Sequence, residues 1–281
     1  MTTSGSQGVL YVVATPIGNL SDMVPRAVET LQQVDCIACE DTRHSRRLLD
    51  HFHISKPLLS YHEHNEDRLV SQLLSRLQGG ESIALISDAG TPLISDPGYP
   101  LIRAAHVANV PVVPIPGPSA VLTALSASGL PSDRFVFEGF LPPKTAARQK
   151  RLQELSQEAR TMIFYEAPHR ICDCIRDMAA VFGEDREAAF ARELTKTHET
   201  IRLMSLATLQ EFVNDDPNQQ KGEIVVLIRG YQPTTTTTVS AEAEKILQLL
   251  REHLPPKVAA NLTAEISGVD KKVLYNLIKN D

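Results

Sequence analysis

The chain has 281 residues, of which 42% are hydrophobic and 22% are charged, and this composition is typical of folded globular proteins rather than disordered ones. Its net charge of −6 excludes a broadly basic nucleic-acid coat, although it permits a local basic patch. Because 5% of the residues are aromatic and none is tryptophan, we do not expect a binding surface built mainly on base stacking.

The N-terminal segment, residues 1–8, is polar and lacks the basic and apolar regions of a signal peptide. No apolar run in the sequence approaches the ~20 residues that span a bilayer. We therefore expect a cytoplasmic protein that does not enter a membrane, and in that compartment its four cysteines are expected to be reduced thiols.

Short apolar runs with helical stretches between them fill the first half of the chain. One such helix is predicted over 65–78, with Asn65 as its N-cap and Gly79-Gly80 at its end. Continuous apolar strands that alternate with helices predict a mainly parallel sheet covered on both faces. The predicted strands are Val9–Ala14, Cys36–Cys39, Ile83–Ser87 and Val110–Pro114.

Cysteine and histidine pairs raise the question of a metal site. Cys36 and Cys39 form a C-x-x-C inside a predicted strand, where residues three apart point to opposite faces and cannot share one metal ion. Two pairs of alternating histidines lack a third ligand at fixed spacing: His51 with His53, and His62 with His64. The sequence therefore favours buried thiols and no metal.

The pattern changes after Gly129-Leu130-Pro131, where strands come more densely, and we place a domain boundary there. A low-complexity run from Pro233 to Thr238 then predicts a linker. The predicted organisation is an N-terminal α/β domain at 8–129, a second α/β domain at 130–231 and a linker at 232–240. The strands predicted in the second domain are Phe135–Phe140, Thr161–Tyr165, Ala188–Arg192 and Glu223–Arg229.

Residues 241–281 predict three short helices, interrupted at Pro255-Pro256 and at Gly268. A helix, a tight glycine-containing turn and a second helix have the layout of a helix-turn-helix. The acidic and basic residues of this C-terminal segment balance. The pattern therefore fits a module that contacts nucleic acid about as well as one that serves only in packing. Apolar residues at helical spacing predict the packing stripes, Val258, Leu262 and Ile266 on one helix and Val273, Leu274, Leu277 and Ile278 on the next.

Three loops rich in glycine and proline follow predicted strands, at 14–20, 87–98 and 115–120. Each by itself could be an ordinary tight turn. In a parallel sheet, however, ligands bind beyond the carboxyl ends of the strands, so three such loops predict one pocket. The chain has neither G-x-G-x-x-G nor G-x-x-x-x-G-K-[ST], which argues against a dinucleotide fold or a phosphate-binding loop. A charged adenosine compound without phosphates would suit such loops.

Seven segments of the sequence, in order, resemble the bacterial small-subunit ribosomal RNA 2′-O-ribose methyltransferase I (RsmI) family, which is part of the tetrapyrrole-methylase-like group. The resemblance runs from about Gly8 to the C-terminus and includes the terminal helix-turn-helix module. The segment at 87–98 is the most specific. The segments are A-T-P-I-G-N-L, E-D-T-R-H, S-D-A-G-T-P-L-I-S-D-P-G, P-G-P-S-A, F-Y-E-A-P-H-R, R-E-L-T-K and K-G-E.

The resemblance implies a two-domain α/β enzyme with a mainly parallel N-terminal sheet, a mixed second sheet and a small C-terminal helical module. It implies a homodimer that uses S-adenosylmethionine to methylate the ribose 2′-hydroxyl of a decoding-centre cytidine of 16S rRNA in the small ribosomal subunit. Tetrapyrrole-modifying relatives carry G-D-P where this chain has Gly90-Thr91-Pro92, which points away from a tetrapyrrole substrate.

Carried over residue by residue, the resemblance places the cofactor against loops of both domains. The implied contacts are Ile17, Gly18, Asp88, Gly90, Thr91, Pro92, Ile94, Ser95, Ser119 and Ala120 in the first domain, and Tyr165, Glu166, Leu194 and Gly222 in the second.

A ribose hydroxyl is a poor nucleophile, and it needs a base or a nearby cation to favour its alkoxide. Polar residues at strand ends beside the predicted loops are the candidates: Glu40, Arg43, Glu193 and Lys196. Lys196 would stabilise the alkoxide, with Glu193 orienting it or accepting the proton. The alternative for each is a structural role, as a helix start or an ordinary ion pair.

RNA phosphates require cations despite the negative net charge. The predicted contact surface is a basic helical stretch with Lys144, Arg148, Lys150 and Arg151. The alternative is that this stretch is a solvated face.

Two other functions compete with that of an rRNA methyltransferase. A methyltransferase of a tetrapyrrole or other small molecule needs no helix-turn-helix, and a ligand-sensing DNA-binding regulator needs a more basic recognition helix than 270–279.

Overall fold

A computed structural model describes residues 7–232 and 239–280. Residues 1–6 of the predicted polar N-terminal segment and residues 233–238 of the predicted threonine-rich linker lie outside this range. The chain divides into two compact units, Met1–Gly230 and Tyr231–Asp281. Within the described residues no helix is both long enough and apolar enough to cross a membrane.

The first unit opens with a five-stranded sheet in which every neighbouring pair is parallel, in the order β3-β2-β4-β1-β5. Its strands are β1 (Leu10–Val13), β2 (Cys36–Cys39), β3 (Leu58–Ser60), β4 (Ile83–Ile86) and β5 (Val112–Ile115). The helices of this half are α1 (Pro25–Gln33), α2 (Thr42–His51), α3 (Glu66–Gln78), α4 (Tyr99–Val107) and α5 (Ala120–Ala127).

Strands β2 and β4 are buried along their whole length, because apolar clusters cover both faces of the sheet. Cys36 belongs to the cluster on one face and Cys39 to the cluster on the other, as predicted for residues three apart on a strand. Burial raises the pKa of both thiols, so they remain protonated packing groups.

Two details of this half differ from the sequence prediction. Strand β3 was not predicted, since it has three residues and none of them is fully buried. Asn65 does occupy the N-cap position of α3, but its side chain does not cap the helix. Instead its amide donates to the Ser60 carbonyl and its Oδ1 accepts from the His62 N–H.

A second sheet of five strands, in the order β6-β7-β10-β8-β9, completes the first unit. Its strands are β6 (Phe135–Phe140), β7 (Thr161–Glu166), β8 (Glu187–Arg192), β9 (Thr200–Ser205) and β10 (Ile224–Ile228). Only β6 and β7 are parallel, and the other pairs are antiparallel, so the sheet is mixed. The helices here are α6 (Thr145–Glu154), α7 (Ile171–Phe182) and α8 (Leu206–Asp215). The unpredicted β9 is a half-exposed edge strand that mixes polar and apolar residues.

An apolar cluster joins the two sheets. Ile17 from the first loop and Val121 from α5 pack with Ile163 and Leu227 of the second sheet. This shared core fixes the loops at the carboxyl ends of the first sheet against one face of the second.

The second unit contains three helices, α9 (Ala241–Arg251), α10 (Pro256–Ser267) and α11 (Lys271–Asn280). Gly268 ends α10 in the left-handed conformation, which produces the tight turn of a helix-turn-helix. The packing stripe predicted for α10 was wrong. Alanines 259 and 260 are fully buried, whereas Val258, Leu262 and Ile266 are 41%, 36% and 64% exposed.

Candidate functional site

The three predicted loops meet at the carboxyl edge of the parallel sheet. Thr15 and Gly90 exchange two backbone hydrogen bonds of 2.9 and 3.1 Å, which ties the first loop to the second. The Thr91 hydroxyl donates to the Pro118 carbonyl at 2.9 Å, which ties the second loop to the third. These bonds explain the choice of Thr and Gly, since a hydroxyl donor and a close backbone approach are both required.

Loops of the second sheet converge on the same place because of strand direction. Strand β10 is antiparallel to both β7 and β8, and its first residue, Ile224, pairs with Glu166 and with Arg192 at the ends of those strands. The residues just after β8 and just before β10 therefore lie at one edge.

A cavity of about 380 Å³ lies where the loops of the two sheets meet, within the size range of small-molecule sites. Eight of the residues predicted to contact the cofactor line it: Ile17, Ile94, Ser95, Ala120, Tyr165, Glu166, Leu194 and Gly222. Other lining residues were not predicted: Ala89, Asp96, Phe140, Ala167, Pro168, Glu223, Ile224 and Val225.

The other predicted cofactor contacts do not line the cavity: Gly18, Asp88, Gly90, Thr91, Pro92 and Ser119. Most of these residues build the loops. Gly90 and Thr91 make the hydrogen bonds described above, and an Asp88 carboxylate oxygen accepts from the Asp41 N–H at 3.2 Å. Gly18 lies under Lys196, whose Cγ would be 2.4 Å from a Cβ at that position.

Asp96 is a lining residue that sequence reasoning missed. The residue is partly buried. Burial, then the neighbouring charge of Glu40, raises its pKa to about 6. The signal available in the sequence was its position in the 87–98 loop, but nothing there showed which of that loop's side chains turns inward. A carboxylate with this pKa can accept a proton near neutral pH.

The backbone near the cavity is unusual in both halves. Leu93, Ser95, Glu193 and Thr195 all have positive φ angles, between 52° and 73°. Residues with a Cβ adopt this region at an energetic cost, which concentrates at functional sites. Both strained segments contribute lining residues, Ile94 and Ser95 in one and Leu194 in the other.

Aromatic and acidic groups form the wall supplied by the second sheet. The Tyr165 ring lies edge-on to Phe140, with centroids 5.6 Å apart. Burial and then the charge of Asp96 raise the pKa of Tyr165 to about 12, so its hydroxyl stays protonated. The buried Glu166 carboxylate accepts from the Ala167 N–H at 2.7 Å and from the Arg170 guanidinium at 2.5 and 2.8 Å.

Glu193 and Lys196 lie together beside the cavity. The Lys196 ammonium donates to Glu193 at 2.8 Å and to Glu223, a lining residue, at 3.1 Å. Burial alone would lower the pKa of Lys196, but these two carboxylates raise it overall. Burial would raise the pKa of Glu193, but the Lys196 ammonium and the Glu223 N–H lower it overall. Both groups therefore remain charged at neutral pH.

None of the four predicted catalytic residues is among the residues that line the cavity, Glu193 and Lys196 included. Glu40 follows β2, and burial, then the charge of Asp88, raises its pKa. Its charge is the one that acts most strongly on Asp96. Arg43 lies in the first turn of α2 and is exposed. Asp41 caps that helix, with its carboxylate accepting from two backbone N–H groups, so the predicted helix start is present.

The prediction that the basic stretch around α6 binds RNA needs a correction. Arg148 is 2% exposed and forms a salt bridge of 2.6 Å with the buried Asp177, so it is not available to a phosphate. Arg151 pairs with Glu138 at 2.6 Å and with Glu154 at 2.9 Å. Lys144 and Lys150 are exposed, and they are the part of the predicted surface that remains. No cluster of three metal-ligating side chains occurs in the described part of the chain.

Two known protein families match the sequence. Residues 9–210 match the tetrapyrrole (corrin/porphyrin) methylases, and residues 237–278 match the RsmI C-terminal HTH domain. The ribosomal RNA small subunit methyltransferase I of Pseudomonas aeruginosa is 57% identical over 96% of this chain and 96% of its own. The protein of that name from Vibrio cholerae is 52% identical over 98% of this chain and 95% of its own.

Solved structures with the same fold are more distant in sequence. The methyltransferase CobJ matches with a TM-score of 0.59 at 19% identity, covering 84% of this chain and 98% of its own. Diphthine synthase matches with a TM-score of 0.56 at 13% identity, covering 79% of this chain and 89% of its own. At these identities the likeness concerns the fold alone.

Proposed function

This chain belongs to the ribosomal RNA small subunit methyltransferase I family, and on that premise we propose that it methylates the ribose 2′-hydroxyl of a decoding-centre cytidine in 16S rRNA. The methyl donor in this proposal is S-adenosylmethionine, and the acceptor is the RNA within the small ribosomal subunit. The protein acts in the cytoplasm as a homodimer. The observation that carries the proposal is the cavity where the loops of both sheets converge.

The residues around this cavity fit S-adenosylmethionine. Its wall is largely apolar and includes Ile17, Tyr165 and Val225, which suits an adenosine. Of the three acidic lining residues, Glu166 pairs with Arg170 and Glu223 with Lys196, whereas no salt bridge to Asp96 occurs among the described residues. The negative charge of Asp96 suits a compound that carries a sulfonium and an ammonium. The backbones of Ile94, Ser95 and Gly222 are the positions that would hold its polar groups.

When bound, the cofactor supplies an electrophilic methyl group on a positively charged sulfur. The residues of this chain then have two tasks, to position the ribose oxygen and to handle its proton. An Asp96 carboxylate oxygen accepts the proton, because its raised pKa makes it a stronger base than an ordinary aspartate. The Lys196 ammonium, held by Glu193 and Glu223, stabilises negative charge on the oxygen.

Two measurements test the proposal. Calorimetry should show saturable binding of S-adenosylmethionine and none of NAD or ATP, and the reverse result would remove the cofactor assignment. Small ribosomal subunits from a strain that lacks this gene should gain one ribose methylation when the purified protein and cofactor are added. Methylation of a tetrapyrrole with no activity on ribosomal subunits would replace the proposal, and light scattering would test the homodimer.

A further inference from the structure

Helix α2 exposes a group of arginines that the proposed chemistry does not use. Arg43, Arg46 and Arg47 are all exposed. In the part of the chain whose side chains the structure describes, none of the three guanidinium groups forms a salt bridge. Other exposed arginines in the described residues also lack a salt bridge, for example Arg68, Arg134 and Arg202. They are separated along the chain, whereas α2 has three exposed arginines within five residues.

The segment around α2 is basic in an acidic protein. Residues 41–56 contain four Lys or Arg and two Asp, which gives a local charge of +2, whereas the whole chain has a net charge of −6. The three histidines of this segment add charge when they are protonated. Charge of this sign concentrated on one surface attracts a polyanion.

The position of α2 connects this surface to the cavity. The helix begins directly after Asp41, whose N–H donates to Asp88 in the loop that also contains Asp96. Ser45 and Leu49 bury the opposite face of the helix against the sheet. The arginines therefore project from a fixed helix whose first turn lies at the carboxyl edge of the sheet, beside the loop that contributes Asp96 to the cavity.

We propose that the exposed face of α2, with Arg43, Arg46 and Arg47, binds the phosphates of the RNA strand that carries the methylated nucleotide. The inference rests on the proposed function, and it assigns Arg43 to phosphate binding rather than to catalysis. Positions 43 and 47 are one helical turn apart, so their side chains are separated by about 6 Å along the axis. Guanidinium groups bind phosphate oxygens through paired hydrogen bonds.

The test measures RNA affinity as a function of salt. The double variant Arg46→Ala/Arg47→Ala removes two side chains that lie outside the cavity, and its affinity for 16S rRNA is compared with that of the unaltered protein by filter binding. Each lost phosphate contact should lower the slope of log affinity against log salt by about 0.7 for a single strand. Two lost contacts then lower the slope by about 1.4. Relative to 1 M salt, this corresponds to an affinity loss of about tenfold at about 0.15 M salt.

Three further measurements separate the surface from other causes. Affinity for S-adenosylmethionine should not change, since neither arginine lines the cavity. The variant Arg46→Lys/Arg47→Lys should restore most of the salt slope, because it keeps the charge. The matched comparison is Lys144→Ala/Lys150→Ala, which removes the exposed lysine at the N-cap of α6 and the exposed lysine on that helix.

An unchanged salt slope in the α2 alanine variant would overturn the inference, and so would a loss that the lysine variant does not restore. A slope that falls only in the α6 variant would place the RNA on α6 instead. If the unaltered protein binds the cofactor but neither binds nor methylates ribosomal RNA, the proposed function fails, and that result is distinct from the failure of this surface.

Discussion

Replacing Asp96 by asparagine removes the proposed proton acceptor while keeping the size of the side chain. Because the pKa of Asp96 is raised to about 6, about 90% of the carboxyl groups are ionised at pH 7 and about 10% at pH 5. In the unaltered enzyme kcat/KM should therefore fall about tenfold per pH unit below pH 6. The Asp96→Asn enzyme should lose about 10²- to 10⁴-fold in kcat, the usual contribution of a general base.

The assay is single-turnover methylation of small ribosomal subunits between pH 5 and 8, with cofactor affinity measured separately by calorimetry. Glu40→Gln provides the control, because the charge of Glu40 is the largest electrostatic influence on Asp96. Removing that charge should lower the pKa of Asp96 and move the acid limb of the profile to lower pH. A flat profile, an unmoved limb in Glu40→Gln, or normal turnover by Asp96→Asn would refute the assignment of Asp96 as the base.

The same substitution should stabilise the fold at neutral pH. The pKa of Asp96 in the folded chain, about 6, lies above its ordinary value of 3.8, so the folded state holds the proton more tightly than the unfolded state. The contribution of Asp96 to stability therefore falls as pH rises through this interval, and above it the ionised carboxylate is a constant cost. Asp96→Asn should raise the free energy of unfolding at pH 8 by about 1–2 kcal/mol after solvent screening, measured by urea titration, with no gain at pH 3. Equal gains at both pH values would contradict this account.

Three other changes test the remaining parts of the site. Gly90→Val places a β-branched residue at φ +85°, with its Cβ 3.2 Å from the Ile17 side chain. It should lower the free energy of unfolding by about 1–3 kcal/mol and weaken cofactor binding. Normal calorimetric affinity in a folded variant would show that this loop does not shape the cavity. Lys196→Ala should lower the single-turnover rate at saturating RNA by about 10²-fold, whereas Lys144→Ala, which changes an exposed residue outside the cavity, should leave that rate unchanged. A near-normal rate for Lys196→Ala would remove that residue from the reaction. Truncation after Gln232 should leave a folded unit that still binds S-adenosylmethionine, because the C-terminal unit has an apolar cluster of its own. Activity on ribosomal subunits should fall. Loss of cofactor binding would make the C-terminal unit part of the cofactor site.

Local pattern was sufficient to predict most of the strands in this protein. The strands β2 and β4 are uninterrupted apolar runs because they are covered on both faces, and such runs are visible in sequence. The loops that follow β1, β4 and β5 were identified from their glycine and proline content, and strand direction alone required them to meet. The strands that escaped prediction, β3 and β9, are short or half-exposed, so their burial pattern leaves little trace in composition.

What only the tertiary structure decided is which side chains face inward. Helix α10 packs through its alanines and exposes Val258, Leu262 and Ile266, since small residues let helices approach closely, and periodicity by itself does not distinguish the two faces. Arg148 looks like a surface cation in sequence, but it is buried because Asp177, 29 positions away, meets it on α7. Asp96 acquires its raised pKa from burial and from Glu40, which lies on a different loop. Charge, burial and pKa depend on neighbours that are distant in the chain, and the fold alone brings those neighbours together.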